Sequence, residues 1–455
     1  MPYEGEFAKH HVLGRIVANE RVKALVRRCA KPESTPEDVR LDGSADLERR
    51  AWVPKLVVAI DGSHHLVPFR QGFPGAELGF FSLAGVVLDI ELLRKLDQNR
   101  PANPQEFSKI QEVNSFEAAF PSANMVIDGE QDARSSFRRQ LFEELQNASP
   151  GSETESLLET YEILLQRKPD TRPQRCPYMS SCPIENGSFT PRGGMYGCSC
   201  DEERVVYSSD ALRIHERFHN AGSNGAVFAE IMQVLEHLWL VSYLRAIEKN
   251  GWWAMFKTLA FVMDGPLAIF GQPAWISQAI KLELQRLNVR ARQVNGEDIL
   301  LLGIEKTGQF VEHFAQLDRR DNGTPGRIEN GSHILLTDDY IKRNIIFNES
   351  RKLYGADTYY GRKFFYKTRS GGMIVAVSPF LDSSAEDTRT AEPAQHPRLA
   401  DTLDVLDCLV SSRYPNATIP LIAAHAEAAI PARMGRHVLE KLAHDLLGRD
   451  VGVVR

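Results

Sequence analysis

Twice in this chain five consecutive apolar residues run straight into Asp-Gly: Leu56-Val57-Val58-Ala59-Ile60 before Asp61-Gly62, and Leu259-Ala260-Phe261-Val262-Met263 before Asp264-Gly265. A short unbroken apolar run predicts a strand covered on both faces, the kind found at the centre of a largely parallel sheet. Each strand then delivers an aspartate at its C-terminal tip, with a glycine behind it that lets backbone or ligand come close. Two such carboxylates can share one hard divalent cation. Taken singly, either Asp-Gly also reads as an ordinary turn.

A third acidic ligand is expected from the helix that precedes the second run. Ala226 to Lys249 carries Phe228, Ile231, Met232, Leu235, Leu238 and Trp239 on one stripe, and Asn250-Gly251 ends it. Such a helix runs antiparallel to the strand it feeds. At ~3.3 Å per strand residue and ~1.5 Å per helix residue, a strand of ~18 Å is matched by about 12 helix residues. Counting back from Glu248 reaches Glu236, with Glu230 in reserve.

The remaining pattern predicts an α/β chain. Phe80 to Leu88 reads as a strand antiparallel to the first, and further strands are expected at 299–304, 334–336, 363–367 and 373–377, the last two joined by Ser370-Gly371-Gly372. With 455 residues the chain exceeds the roughly 250–300 that one core usually accommodates, so large insertions or a second domain are expected. Four stretches are distinguished: a helical arm over 1–50, a first core part over 51–149, a polar Cys-rich insertion over 150–222, and a second core part with C-terminal helices over 223–455.

A formal net charge of −6 excludes a basic nucleic-acid coat, so any nucleic acid must be held by a local patch or through bound metal. The N-terminus lacks the basic-then-apolar order of a secretory signal, and the apolar stretch Leu259 to Phe270 is interrupted by Asp264. A chain beginning near Met1, without a membrane span and cytoplasmic, is expected.

Four ordered motifs carry a resemblance. Ala59-Ile60-Asp61-Gly62-Ser63, Val262-Met263-Asp264-Gly265-Pro266-Leu267, Gly303-Ile304-Glu305-Lys306-Thr307, and Tyr414-Pro415 followed by Pro420-Leu421-Ile422-Ala423-Ala424-His425 have the order and character of the motifs of NurA nucleases. The resemblance spans about 51 to 440 and implies a ribonuclease H-like mixed sheet flanked by helices. It further implies Mn²⁺- or Mg²⁺-dependent DNA cleavage, exonucleolytic with some endonuclease activity, by a homodimer docked on a HerA-type hexameric ATPase. DNA end processing or defence against foreign DNA would be the setting. By position Asp61 and Asp264 match the family's metal-binding aspartates, a helix glutamate their partner, and Tyr414 and His425 its C-terminal pair. The Tyr414 to His425 spacing is longer than the family's usual compact form, and the Cys-rich insertion is not a general family feature.

On chemistry alone His425 is suited to metal ligation or proton transfer and Tyr414 to a phosphate oxygen; a buried histidine and a Tyr-Pro loop anchor are the plainer alternatives. Lys306 reads equally as a phosphate contact or a solvated strand end. Cys176, Cys182, Cys198 and Cys200 form a quartet suited to tetrahedral Zn²⁺ as a structural ion; His215 and His219, one helical turn apart, could replace one sulfur but read first as surface helix residues. Between Lys352 and Arg369, the cations Arg362, Lys363, Lys367 and Arg369 are interleaved with aromatic residues, which suits either a single-strand channel or a packed hairpin. Two other functions remain beside DNA cleavage: a non-catalytic DNA-binding adaptor of a motor complex, which would need none of Asp61, Asp264 and His425, and an RNA-directed nuclease.

Overall fold

The first apolar run belongs to a strand much longer than itself, β1 (Leu56–Phe69), which turns into an equally long β2 (Ala76–Asp89) paired antiparallel along its whole length, Leu56 opposite Asp89 and Phe69 opposite Ala76. The computed structural model describes residues 11–29, 47–69, 73–95, 111–170, 172–178, 181–320, 322–410, 418–431 and 434–447. After β3 (Gln111–Pro121) come two small ribbons, β4 (Gln174–Arg175) with β5 (Ser188–Phe189) and β6 (Met195–Cys198) with β7 (Asp201–Tyr207). The main sheet resumes with β8 (Leu259–Asp264), β9 (Leu300–Glu305), β10 (His333–Leu335), β11 (Gly361–Lys367) and β12 (Met373–Pro379).

These strands make one eight-stranded sheet in the order β3-β2-β1-β8-β9-β12-β11-β10. β8 lies parallel to β1 and β9 parallel to β8, whereas β2 and β3 run antiparallel to their neighbours. The five-strand part β3-β2-β1-β8-β9 is the ribonuclease H-like arrangement the motifs imply, and β12, β11 and β10 extend it by antiparallel pairing.

Alternation explains why the two apolar runs have no polar member. Val58, Ile60, Phe261 and Met263 point into one core and Val57, Ala59, Ala260 and Val262 into another, so both faces of the central strands are dry. The first core is closed by α4 (Ala133–Asn147), α5 (Leu157–Gln166), α6 (Gly225–Lys249) and α7 (Trp275–Asn295), and the second by α10 (Leu399–Leu409) and α11 (Ile419–Ala428). The other helices are α1 (His11–Ala18), α2 (Glu20–Arg28), α3 (Ile90–Lys95), α8 (Gln309–Leu317), α9 (Asp338–Asn344) and α12 (Met434–Leu447). α1 and α2 bury none of their residues.

α6 is the one helix among the described residues that is long and apolar enough to cross a membrane by length and composition. The expectation that no run approaches that limit is corrected by it. It is nonetheless a core helix, burying Phe228, Leu235, Leu238 and Trp239 against the sheet, each at about 1.5–3 kcal/mol of transfer free energy. An ion-pair network fixes its rotation: Arg245 of α6 and Arg286 of α7 share Glu283, which is wholly buried, and Arg167 completes its shell. Burial alone would push the Glu283 carboxyl up, but these guanidinium groups hold it down at about 2.

Of the stretch 150–222, α5 and residues 207–218 lie in the main core, where Phe218 stacks on Phe137 at 4.9 Å. Cys176, Phe189, Cys198 and Val206 form a separate small core.

Candidate active site

The register β1–β8 ends at Ile60 opposite Met263, so Asp61 and Asp264 stand one step further at the same level. Asp264 is a strand end, as expected. Asp61 is not: β1 continues to Phe69, and the expectation of a strand tip is corrected to the point where β8 leaves β1 and only β2 accompanies it. The turn reading of Asp61-Gly62 fails with it. Both aspartates follow the alternation of Ala59 and Val262, on the face covered by α11.

Glu236 comes from the opposite face, on α6, and reaches the same level past Gly62. The Gly62 amide lies close enough to its carboxylate to favour the ionised form. A Cβ at position 62 would stand 2.9 Å from Glu236 Oε1 and 2.3 Å from Met232 Sδ, so this glycine is an aperture for the side chain. The reserve residue Glu230 lies elsewhere, paired with Arg217.

Lys306, one residue beyond β9, places its Nζ 3.0 Å from Asp264 Oδ2 and 4.0 Å from Asp61 Oδ2. His425 Nδ1 is 3.0 Å from Asp61 Oδ2, and its ring is 60% exposed, so the buried-histidine alternative does not hold. Ser63, quoted in the first motif but given no role, positions that helix: its Oγ donates to the Ala428 carbonyl at 2.6 Å and accepts from the Ile430 amide at 3.1 Å. Tyr414 lies outside the described residues.

The electrostatics describe a site short of positive charge. Asp61 is 3% exposed, and burial first and then the charge of Asp264 push its carboxyl up to about 6, against the opposing pull of Lys306 and His425. Glu236 is raised well above the ordinary range by burial and by both aspartates, against the Gly62 amide and Lys306. Two carboxyls raised by burial and by neighbouring negative charge, with a lysine ammonium between Asp61 and Asp264, make a donor set that a divalent cation fits: hard oxygen ligands for Mn²⁺ or Mg²⁺.

At Asp264 opens a cavity of about 820 Å³, lined also by Lys306, His425, Phe270, Phe310 and Tyr359. Lys363 lies at its floor, ion-paired with Glu305 and 4.0 Å from the centre of the Phe310 ring. The Glu305–Lys363 pair was not anticipated, although Glu305 adjoins Lys306 in a quoted motif.

Two of the other expected nucleic-acid cations, Arg362 and Lys367, are corrected. β11 is buried along its whole length. Arg362 is spent on the carbonyls of Ala385 and Thr390, and Lys367 on Asp318 and the Ile328 carbonyl. Neither can meet a phosphate, because the face that looked free in sequence is covered by the segment 382–396 and by the Asp318 loop. Arg369 is exposed, 3.5 Å from Asp407. His215, expected at the surface, is buried beside Asp210.

A ribonuclease H-like sheet that sets two strand aspartates at one level, with Lys306 reaching both and a helix glutamate packed against Gly62, is the frame of a carboxylate-based, metal-dependent phosphoryl-transfer fold. A family model described as the NurA domain matches residues 200–430, just over half of the chain. The chain belongs to the NurA family of metal-dependent nucleases. Among solved structures, the NurA nuclease from Sulfolobus solfataricus is similar over 99% of this chain and 100% of its own, at 12% identity and a TM-score of 0.35. NurA bound to dAMP and manganese is similar over 98% of this chain and 97% of its own, at 10% identity and a TM-score of 0.30. No curated protein sequence matches the chain.

Proposed function

We propose that this chain hydrolyses DNA phosphodiesters with Mn²⁺ or Mg²⁺ held by Asp61, Asp264 and Glu236, cutting from ends with some internal cleavage. The observation that carries the reading is that Asp61 and Asp264, far apart in sequence, stand at one level within reach of Lys306, with Glu236 against Gly62 and a cavity large enough for a nucleotide opening at Asp264.

A cation bound there neutralises charge on the phosphoryl oxygens and supplies an activated water. Everything else falls to the side chains. Asp61 and Asp264, fixed by the strands, and Glu236, fixed by its helix, would be the side chains that hold the cation. Lys306, whose ammonium stands between Asp61 and Asp264, is the cation within reach of a phosphate oxygen bound there. His425, anchored on Asp61 and open to the cavity, takes or delivers a proton at its other ring nitrogen. Phe270, the exposed ring of the cavity lining, offers a face on which a base of the strand end stacks.

In the cell the chain would work in the cytoplasm as a homodimer on a HerA-type hexameric ATPase that drives DNA into the site, in end processing or in defence. The exposed apolar residues of α1 and α2, among them Leu13, Val17, Leu25 and Val26, support docking onto protein.

End-labelled linear DNA incubated with and without Mn²⁺, beside Asp61→Asn and a labelled RNA of the same sequence, tests the activity. Metal-dependent loss of DNA alone, absent in Asp61→Asn, is the predicted result. Equal degradation of RNA redirects the substrate, and no cleavage by the wild type in the presence of its ATPase refutes the proposal.

A further inference from the structure

Far from the carboxylates, residues 172–207 hold a second group of metal-binding side chains. The segment is two short ribbons around Cys176, Phe189, Cys198 and Val206. Burial at about 1.5–3 kcal/mol per large apolar side chain falls far short of the roughly 1–2 kcal/mol needed to order each residue, so this core does not fold the segment by itself.

The cysteines gather where a core is missing. The sulfurs of Cys176, Cys198 and Cys200 lie within 4.8 Å of one another, with Cys176 and Cys198 3.6 Å apart. Cys182 stands outside that 4.8 Å cluster but next to it, its Sγ and that of Cys200 both within 2.6 Å of where a Cβ on Gly187 would lie. Thiolates bound tetrahedrally at about 2.3 Å from one ion stand about 3.8 Å from each other. A disulfide would draw one pair to about 2.05 Å and give the other pair no reason to join it.

Local chain geometry points the same way. Cys176-Pro177-Tyr178 and Cys182-Pro183-Ile184 share the same Cys-Pro start, and at each the backbone amide two residues on favours the thiolate. Each proline fixes φ and contributes no N–H of its own. Amides aimed at sulfur stabilise the thiolate and orient it for metal. Gly187 closes the cradle: a Cβ there would lie 2.5 Å from Cys182 Sγ and 2.6 Å from Cys200 Sγ.

We propose that Cys176, Cys182, Cys198 and Cys200 bind one zinc ion as a tetrathiolate, and that this ion folds residues 172–207. Four protein ligands leave no open position, so the ion is structural and takes no part in cleavage. The folded ribbon clamps the outside of α4: Arg138, ion-paired with the buried Asp210, lies 4.5 Å from the centre of the Tyr178 ring and 5.5 Å from that of Tyr207.

The test is elemental analysis of the full chain purified without added metal, with thiol titration before and after a mercurial. One zinc per chain is expected, with the four thiols unreactive until the mercurial releases the ion. Cys200→Ser should lose the zinc and become cleavable by trypsin between Arg175 and Arg204, whereas Asp61→Asn and Cys408→Ser should keep it. Should Cys200→Ser fail to fold, the wild-type stoichiometry decides alone. Iron in place of zinc, four freely reactive thiols, their recovery as disulfides, or loss of zinc from Asp61→Asn would each overturn the proposal.

Discussion

Replacing Asp61 by Asn should stabilise the metal-free protein while abolishing its activity. In the fold, burial and Asp264 raise the Asp61 carboxyl from 3.8 to about 6. At 1.36 kcal/mol per pH unit that corresponds to about 3 kcal/mol by which ionised Asp61 opposes folding. The sign follows from the raised value. The folded chain binds this proton more tightly than the unfolded one, so stability falls as pH rises from 4 through 6 and is flat above 7. Asn carries no charge, and its side-chain oxygen can still accept from His425. The gain is therefore absent at pH 4 and full at pH 8. With about 2.1 cal/mol/K of unfolding entropy per residue, the chain has roughly 1 kcal/mol/K, so the upper limit is about 3 °C in Tm. Thermal unfolding in EDTA and in Mn²⁺ reads this directly. Mn²⁺ at a hundred times its Kd should stabilise the wild type by about 2.7 kcal/mol and the variant hardly at all. If Asp61→Asn melts below the wild type at pH 8 in EDTA, or gains as much from Mn²⁺, the electrostatic account of the site is wrong.

Gly62→Ala inserts a methyl group into the gap used by Glu236, and should cost about 1–3 kcal/mol together with at least tenfold weaker Mn²⁺ binding by calorimetry; unchanged binding would mean that Glu236 is no ligand. Lys306→Met removes the ammonium between Asp61 and Asp264, and cleavage should fall roughly 10²–10³-fold with Mn²⁺ affinity no weaker. A fall in affinity with normal turnover would assign Lys306 a different role. Lys367→Ala strands the buried carboxylate of Asp318 and should destabilise the chain by about 3–5 kcal/mol, leaving the salt dependence of DNA binding by the folded protein as it was; a shallower salt slope would return Lys367 to the DNA-contact set.

Where local pattern and packing demand agree, the sequence was readable. The apolar runs 56–60 and 259–263 allow little but buried strands, and Asn250-Gly251 sets the end of α6 closely enough for a count in ångströms to single out Glu236. β3 escaped notice because its upper half, Gln111 to Glu117, has a mostly polar composition at the sheet edge. The full length of β1 was hidden because Asp61-Gly62-Ser63-His64-His65 looks like a turn, and only pairing with β2 makes it a strand. The cations of β11 misled for a related reason. Alternation says which residues share a face, but the partners that bury Arg362 and Lys367 come from residues 385, 390 and 318. Ser63 and the Gly62 aperture carry no local signal at all, since their roles exist only once α11 and α6 are in place.

The central claim is that Asp61, Asp264 and Glu236 grip a single divalent cation, and anomalous diffraction from crystals grown with Mn²⁺ tests it most directly. The account predicts a dominant peak in coordination distance of all three carboxylates, about 2.0–2.6 Å as for hard cations on oxygen, with Lys306 swung away from Asp264. A peak touching only one of them, or Mn²⁺ bound elsewhere while Lys306 keeps its place between the aspartates, would contradict it.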